Sequence, residues 1–523
     1  MAHAVVLDRL ADGLPAVKAA VAFVVVPLLL VVLLRHFTVA ARSNNREQKR
    51  MPPPSSPRAM PLIGHLHHLI AGGGHPHVSL RNLAARQRQQ QGGGGGGFML
   101  LRLGTVPTLV VSSSHAALQV LRTHDRSFAS RPRSVIGDIL AYGPLDVGFA
   151  PYGEWWRQAK KLVTTHLLTA KKVQSYRAAR EEEVGTVMGK IRGAAAAHVA
   201  VDMSKLLSSF TNDVLCRAVA GRSFRVEGRN KVFRELIDAG MVILGGFSLE
   251  NFYPGLAKVA GGVLTWPARR RAEMLRSRWD NTFDALIDEH VQEREMMVAG
   301  GGDVQVQEEE SDFIHVLLSV QGEYGLTRNG IKGILADMFT AGTGMAYLVL
   351  EFAMAELMLH QHAFAKLQAE VREIVLPRNQ ETINEGNLSS GMAYLKAVVK
   401  ETLCLHPPLP LLVPHLCIED CDVDDGYMVP AGTTVFINAW AIGRDPSSCP
   451  RGRRMCPGVN FALASIEIML ANLAYHFDWE LPQGVHRIDM TEVFGLTVRR
   501  KEKLLLIPRS TGFILPNVEQ SPE

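Results

Sequence analysis

The sequence predicts a mainly α-helical domain with a small β component. Apolar residues recur at helical spacing over most of residues 116–290 and again over residues 327–359, with Gly and Pro turns between the segments. β-rich residues are confined to short runs. Neither an internal repeat nor a shift in composition divides the chain. We therefore expect one large domain over residues 65–508 and a tail over residues 509–523.

The bulk composition is that of a globular protein with a large core, with 47% hydrophobic and 20% charged residues. The formal net charge of +5 is small for 523 residues, which argues against a nucleic acid as the main partner. Six cysteines are too few for a disulfide framework and suit a reducing compartment. These are Cys216, Cys404, Cys417, Cys421, Cys449 and Cys456.

Residues 1–50 are predicted to form a membrane anchor with a basic flank. Residues 14–34 are apolar apart from Lys18, and at about 1.5 Å per residue a helix of this length spans about 30 Å, the thickness of the bilayer's hydrocarbon core. Arginine and lysine residues follow the apolar stretch, so the positive-inside bias places the body of the protein in the cytosol. A cleaved signal peptide is the alternative, although no clear small-residue cleavage site is present.

Residues 51–64 are rich in proline, which predicts a stiff hinge between the anchor and the domain. Residues 86–97 end in six glycines and are expected to form a flexible loop insertion. Several histidines between these segments could suggest a metal cluster. We expect a solvated loop instead, because the stretch is rich in Gly and Pro and has no carboxylate nearby. The histidines are His65, His67, His68, His75 and His77.

Shorter elements complete the predicted domain. Two β-rich runs at residues 98–103 and 108–111 are separated by Gly104 and Pro107, which predicts a hairpin. The remaining expected elements are a helix over residues 391–405, strands around residues 411–414 and 433–438, and a long helix that begins at Val459.

Cys456 is the residue most suggestive of chemistry. It follows Arg453 and Arg454 and stands just before the helix predicted from Val459. Unpaired backbone N–H groups at a helix N-terminus and nearby guanidinium groups both favour the thiolate, the form that binds metals. Gly458 would let a flat ligand approach the backbone closely. An ordinary cysteine in a basic turn remains the alternative.

A zinc site is a further interpretation of the cysteines. Cys417, Cys421, Cys449 and Cys456 are spaced C-x3-C and C-x6-C, which fits no common structural zinc pattern closely. Cys417 and Cys421 are therefore expected to be core residues rather than ligands.

Several separated segments resemble one family. The chain is similar to plant microsomal cytochromes P450, the haem-thiolate monooxygenases, from the predicted anchor to about Pro508. Residues 451–458 resemble the haem-binding loop, and residues 459–464 resemble the helix behind it. Further similar segments are residues 339–343 (start of the oxygen-binding motif), 400–403 (start of the Glu-x-x-Arg motif), 128–132 and 151–157.

This resemblance implies a membrane-bound enzyme with haem b, with its catalytic body on the cytosolic side of the endoplasmic reticulum. It would insert one oxygen atom from O2 into a small hydrophobic substrate of secondary metabolism, with electrons from an NADPH-dependent reductase. Cys456 would be the axial ligand, and Gly342 would leave room for dioxygen. Residues implied to hold the haem are Trp156, Lys160, His415, Arg454 and Gly458.

The central helix departs from the family pattern. Where the family has an acid and a threonine that relay protons, this chain has Gly344 and Met345. Met345 cannot deliver a proton. Thr343 is not an easy substitute, because two positions along a helix turn a side chain about 200° away.

A second departure concerns Glu401. The arginine of its motif is replaced by Cys404, and the segment that carries the family's further partner arginine is missing at a short junction over residues 446–449. We expect Glu401 to be a buried carboxylate without its partner. Lysine and histidine replace arginine at positions 160 and 415, and histidine is cationic only if its pKa allows.

Two hypotheses about function remain. The first is an active monooxygenase, and the second is a non-catalytic, membrane-bound relative with impaired haem binding. A hydrophobic substrate is expected because residues 140–149, 244–252 and 494–497 are candidate pocket walls of apolar character.

Overall fold

A computed structural model describes residues 56–70, 74–90, 97–225, 228–246, 248–299, 311–375, 381–388, 391–423, 427–444 and 453–511. The predicted anchor over residues 1–50, the first five residues of the hinge, the junction over residues 446–449 and most of the tail lie outside these residues.

Helices dominate the described part of the chain, as the periodicity predicts. In the N-terminal half they are α1 (Leu66–Ile70), α2 (Pro76–Gln90), α3 (Ser114–Leu118), α4 (Val135–Leu140), α5 (Glu154–Leu162), α6 (Ala170–Ser175), α7 (Arg177–Ala197), α8 (Met203–Ala220), α9 (Arg229–Gly245), α10 (Leu249–Phe252) and α11 (Pro254–Leu264). They continue with α12 (Trp266–Ala299), α13 (Phe313–Ser319), α14 (Gln321–Tyr324), α15 (Arg328–Leu359), α16 (Gln361–Ile374), α17 (Ala393–Leu405), α18 (Ala439–Ile442) and α19 (Val459–His476). Gln119–Thr123 and Val163–Leu167 are π-helical, and Glu385–Leu388 is a 3-10 helix.

Short strands form small sheets around the helical body. They are β1 (Phe98–Leu103), β2 (Val106–Val111), β3 (Val201–Asp202), β4 (His415–Leu416), β5 (Cys421–Val423), β6 (Tyr427–Val429), β7 (Thr434–Ile437), β8 (Phe477–Glu480), β9 (Glu492–Phe494), β10 (Val498–Arg500) and β11 (Leu505–Ser510). The largest sheet has the order β1-β2-β7-β4, in which only β2 and β7 are parallel. The smaller sheets are β3-β11-β8, β9-β10 and β5-β6.

Helix α15 runs through the centre of the helical core. The Thr327 side chain accepts a hydrogen bond from the Gly330 N–H at 3.1 Å and so caps its N-terminus. The helix is long and apolar enough to cross a membrane, but most of that window is buried within the protein. It packs against α8, α17 and α19, so it is a core helix of the domain.

Most predicted elements are confirmed. The hairpin forms from β1 and β2, the central helix ends at Leu359, and a long helix begins at Val459. The strand expected at residues 411–414 is wrong: pairing begins at His415, and Leu412 has a φ of +52°, which is incompatible with an extended strand.

The prediction of a solvated histidine loop is also wrong. Pro76 begins α2, and its fixed φ suits the first helical position. His77 is consequently 0% exposed, and His65 is 2% exposed. His65 lies between the backbone of Arg102, which donates to its Nδ1 at 2.8 Å, and the Pro57 carbonyl oxygen, 2.9 Å from its Nε2.

Candidate functional site

Cys456 lies in the turn that leads into α19, as predicted. Its side chain has an exposed surface, yet enough protein surrounds the sulfur that burial raises the pKa of the thiol. A hydrogen bond from the Gly458 backbone and the charge of Lys160 act in the opposite direction but do not outweigh burial. The expected low-pKa thiolate is therefore wrong for the protein without a metal. Deprotonation would accompany metal binding, because the metal competes with the proton for the sulfur.

Gly458 is the N-cap residue of α19 and has a φ of −86°, which any residue can adopt. A Cβ at this position would lie 4.0 Å from the Cys456 Sγ and 3.9 Å from Leu168 Cδ1. The backbone conformation therefore does not require glycine at position 458. What glycine provides there is the space that it leaves beside the sulfur of Cys456.

Arg454 and Trp156 form one side of the site. The Arg454 guanidinium lies 4.0 Å from the centre of the Trp156 ring. It donates to the backbone carbonyl oxygens of Ala129, Val147 and Ala150 at 2.7, 3.2 and 2.7 Å. Burial lowers its pKa to about 10, so it remains charged at neutral pH.

Two features of these residues bear on binding a carboxylate. Arg454 gives three of its five N–H groups to carbonyl oxygens, so it retains donors for a further acceptor. The Trp156 indole N–H already donates to the Val147 carbonyl oxygen at 3.1 Å. Trp156 therefore contributes a ring surface for the guanidinium rather than a free donor.

Lys160, one turn after Trp156 on α5, reaches the same site. Its ammonium donates to the Arg453 carbonyl oxygen and lies 5.2 Å from the centre of the Trp156 ring. Burial lowers its pKa, and the positive charges of Arg454 and Arg453 lower it further. This lysine is thus the second cation near Cys456.

His415 does not supply the positive charge implied for it. It is 5% exposed, and its Nδ1 lies 2.7 Å from the Phe128 carbonyl oxygen. Burial, followed by the charge of Arg131, lowers its pKa to about 3, so the ring is neutral at pH 7. Because a carbonyl oxygen only accepts, Nδ1 carries the proton and Nε2 is left as an acceptor, which disfavours a carboxylate partner.

Arg131 is a buried cation whose place at the site the sequence did not indicate. It is 6% exposed and donates through Nη1 to the carbonyl oxygens of Val413 and Pro414 at 2.7 and 2.9 Å. Burial, followed by Arg454, lowers its pKa to about 9. These hydrogen bonds join residues 130–132 to residues 413–414 and so fix the loop that precedes His415.

The face of α15 that carries Met345 lines a pocket. The pocket lies between α9, α15 and the turn that joins β9 to β10. Phe494 and Thr497 belong to a segment predicted as a pocket wall, whereas the α9 contribution precedes residues 244–252. The lining residues are Ile237, Asp238, Met241, Val242, Gly344, Met345, Tyr347, Leu348, Val493, Phe494, Gly495, Thr497 and Arg499.

The opposite face of α15 packs against α8. A Cβ on Gly342 would lie 2.8 Å from Leu215 Cδ1, so this glycine permits close packing of the two helices, and its expected role in leaving room for dioxygen stays a prediction. Thr343 shares that face: its backbone carbonyl accepts from the Thr211 hydroxyl at 3.1 Å, and its hydroxyl lies 3.5 Å from Asn212 Oδ1. The prediction that Thr343 points away from the face of Met345 is confirmed.

Glu401 is solvent-exposed, so the prediction of a buried, unpaired carboxylate is wrong in its first part. Within the described ranges no ion pair to Glu401 is formed, and the junction over residues 446–449, where the partner arginine is expected to be missing, lies outside those ranges. Cys404 lies on the same helix, where burial and Glu401 raise the pKa of its thiol. Exposure spares the protein the cost of an uncompensated buried charge.

A pair of carboxyl groups, the half-buried Asp337 and the buried Asp146, is a feature that sequence patterning missed. Asp337 Oδ2 accepts from the backbone N–H groups of Val147 and Gly148 at 2.6 and 3.1 Å. Burial raises the pKa of Asp337 to about 6, and burial together with Asp337 raises that of Asp146. The pair fixes the loop whose Val147 carbonyl holds Trp156 and Arg454. The signal available in the sequence was Asp337 itself, an acidic residue within an apolar helical segment.

The zinc interpretation of the cysteines has no support in the part of the chain that the structure describes. Cys417 and Cys421 are buried core residues of the β5 region, as expected. The groups of converging ligand atoms found among the described residues are built from His, Asp and Glu and contain no cysteine.

Comparison with known proteins relates the chain to plant monooxygenases. It is 48% identical over 488 residues to an indole-2-monooxygenase of Zea mays, covering 87% of each chain. It is 47% identical over 490 residues to an indolin-2-one monooxygenase of Zea mays, covering 87% of this chain and 88% of that one. A 3-hydroxyindolin-2-one monooxygenase of Zea mays is 44% identical over 491 residues, covering 87% and 88%.

The fold agrees with these relatives. A solved structure of a zebrafish cytochrome P450 with abiraterone superposes with a TM-score of 0.67 at 21% identity, covering 83% of this chain and 99% of that one. The family model for cytochrome P450 matches residues 53–451 and so ends before Cys456. Since this match and the plant relatives each extend over most of the chain, the protein belongs to the cytochrome P450 family of monooxygenases, for which a haem cofactor is implied.

Proposed function

We propose that the protein is a membrane-bound haem monooxygenase that inserts one oxygen atom from O2 into a small, flat, hydrophobic substrate. Electrons would come from an NADPH-dependent reductase. The observation that carries the proposal is the position of Cys456, a partly exposed side chain just before α19, with the cations Arg454 and Lys160 in the same site.

The residues around Cys456 suit haem in part. Cys456 would bind the iron, and Arg454 and Lys160 would neutralise the propionate carboxylates. His415, being neutral, would not. When bound, haem supplies the iron at which O2 is activated, and a thiolate ligand favours O–O cleavage. Met345 lines the pocket but provides no proton, so protons would have to arrive through water molecules.

An indole-like substrate is favoured by two observations. The most similar relatives named above are monooxygenases of indole and its oxidised derivatives. The pocket beside Met345 combines apolar side chains with Asp238, whose pKa is raised by burial. A carboxyl group in an apolar pocket can accept a hydrogen bond from a ring N–H and so orient a flat bicyclic molecule.

The membrane location is part of the proposal. Residues 14–34 would anchor the chain in the endoplasmic reticulum with its body in the cytosol, because the basic residues follow the apolar stretch. Protease treatment of sealed microsomes tests this orientation: the body should be digested from the cytosolic side.

Substrate binding can be tested with indole and naphthalene, which differ in the ring N–H. Spectral titration of the haem protein should show that Asp238→Ala weakens indole binding by about 10-fold, the loss expected for one hydrogen bond to a carboxyl group, and leaves naphthalene binding unchanged. Equal effects on both ligands would contradict the assignment of Asp238.

The alternative is a non-catalytic relative, which the replacement at Met345 and the unpaired Glu401 favour. Haem incorporation and NADPH-dependent product formation from indole, measured with a plant reductase in membranes, separate the two. Stoichiometric haem with product supports the enzyme. A chain that folds but carries no haem supports the alternative.

A further inference from the structure

Several buried ring nitrogens around Glu492, far along the chain from Cys456, have no hydrogen-bond partner. Both ring nitrogens of His77, Nδ1 of His75 and Nδ1 of His406 are in this state. Buried polar groups in folded proteins are nearly always hydrogen-bonded, so four unpartnered nitrogens around one carboxylate point to a site that binds water or an ion.

The geometry of three of these residues is that of a metal site. His75, His77 and Glu492 each offer one ligand atom, and these three atoms all lie within 4.8 Å of one another. His77 Nε2 is 3.6 Å from Glu492 Oε2, which is long for a hydrogen bond. It is close to the separation of about 3.4 Å between two donors that each bind a tetrahedral zinc ion at about 2.0–2.1 Å.

The local fold explains how an H-x-H sequence can place both rings on one side. Residues two apart within a helix point in different directions. His75, however, precedes Pro76, the first residue of α2, and its carbonyl oxygen accepts from the N–H groups of Val78 and Ser79. It is therefore outside the helix, and its ring lies with its centroid 5.8 Å from that of His77.

Surrounding residues hold the three side chains in place. His77 is 0% exposed and packs between Trp440 and Phe494, with ring centroids 5.1 and 6.0 Å away. The second oxygen of Glu492 lies 3.5 Å from Nδ1 of His406, whose Nε2 lies 2.7 Å from Glu356 Oε1.

We propose that His75, His77 and Glu492 bind one zinc ion, with water in the fourth position. Two imidazoles and one carboxylate form a borderline donor set that suits Zn²⁺ better than Ca²⁺ or Mg²⁺. The ion would connect α2 to β9, and the turn after β9 lines the pocket beside Met345. The site would therefore brace the hairpin that closes the substrate pocket, independently of haem.

A second histidine–carboxylate group provides a contrast. His290, Asp312 and His315 also converge, but both histidines contact Asp312 Oδ2 directly, at 3.3 and 2.9 Å. His290 Nδ1 also lies 2.7 Å from the Leu286 carbonyl oxygen. These hydrogen bonds occupy both ring nitrogens of His290 and Nδ1 of His315 without an ion, and His315 Nε2 is the one ring nitrogen of this group without a partner.

The test uses the full-length protein in detergent, stripped with a chelator and dialysed against buffered ZnCl2. Elemental analysis should give one tightly held zinc per chain, and X-ray absorption should give nitrogen and oxygen ligands without sulfur. His75→Asn and Glu492→Gln, both at half-buried positions, should each weaken zinc binding by more than the roughly 10- to 100-fold typical of losing an outer-shell partner. His67→Asn/His68→Asn removes a nearby pair of histidines and should leave binding unchanged.

Two further measurements keep the proposal testable even if the ligand variants do not fold. They also separate it from the proposed function. Zinc should raise the thermal unfolding midpoint of the wild-type protein in a concentration-dependent manner. The Cys456→Ser variant should bind zinc as the wild type does. No retained zinc and no shift in the midpoint would overturn the proposal and assign the space to water. Zinc that persists in both single variants would be adventitious and would overturn it as well.

Discussion

Met345 faces the pocket beside Phe494 and Thr497, and its thioether has no proton to exchange. Replacing it by threonine would place a hydroxyl where protons are needed. General acid catalysis typically contributes about 10²–10⁴-fold, so even partial recovery should raise the product formed per NADPH consumed by about 10-fold. Product and NADPH are measured together in reconstituted membranes.

Met345→Leu is the matched control and should not change the ratio of product formed to NADPH consumed. An unchanged ratio in Met345→Thr would argue against this position as the gap in proton delivery.

Burial has a larger effect than neighbouring charge on the ionisable groups around Cys456. It raises the pKa of the Cys456 thiol despite Lys160, and it lowers the pKa of His415 to about 3. The charges near a residue can be read from adjacent sequence, as they were for Arg453 and Arg454. The degree of burial depends on chain segments far away, and for this reason the thiolate was predicted wrongly and the charge of His415 could not be decided from the sequence.

Asp337 should make stability depend on pH. Its pKa is 3.8 in an unfolded chain and about 6 in the folded protein, so the folded state binds the proton more tightly. The resulting stabilisation is fully present below pH 3.8 and is lost as the pH rises through about 6. At about 1.4 kcal/mol per pKa unit it amounts to at most about 3 kcal/mol.

Asp337→Asn should flatten this dependence and stabilise the protein at pH 7, because the amide oxygen can still accept from Val147 and Gly148. Denaturant unfolding between pH 4 and pH 7 measures the effect. The exposed residue Asp422 offers a control, and Asp422→Asn should retain the wild-type slope. A wild-type slope in Asp337→Asn would show that Asp337 does not bind its proton more tightly in the folded state.

At the scale of elements, α15 depends on close backbone contacts. A Cβ on Gly333 would lie 2.3 Å from the Leu145 carbonyl oxygen, a backbone atom that cannot rotate away. Gly333→Ala should therefore destabilise the protein by about 1–3 kcal/mol, even though alanine favours helix. Thermal unfolding measures the change.

Gly185→Ala, in α7, is the matched control for Gly333→Ala. Nothing lies within 4 Å of a Cβ at Gly185, so alanine should stabilise the helix by up to about 1 kcal/mol. Equal effects of the two substitutions would contradict the account of α15 packing.

Helices and hairpins were predictable where local chemistry determines them. Thr327 caps α15, and Gly104 and the flanking β-rich runs form the β1–β2 hairpin. The strand expected at residues 411–414 failed because Leu412 takes a left-handed conformation that no local pattern announces. The contact of Gly342 with Leu215 of α8 was not predictable either, since periodicity gives the spacing of a helix face but not its packing partner.

At the scale of the whole molecule, the site is made by long-range contacts. His77 meets Glu492, and Arg454 meets Trp156, across hundreds of residues of chain. The sequence identified Cys456, Arg454 and Lys160 only as single residues, through a family resemblance. It could not indicate that Glu401 is exposed, or that a histidine assigned to a loop is buried beside a carboxylate.

The central claim is that Cys456 binds haem iron as a thiolate. The most direct measurement is the absorption spectrum of the reduced carbon monoxide complex of the full-length protein, for the wild type and for Cys456→Ser. The account predicts a thiolate-type Soret band in the wild type that is absent from Cys456→Ser. A folded wild-type protein without that band, or the same band in both proteins, would contradict it.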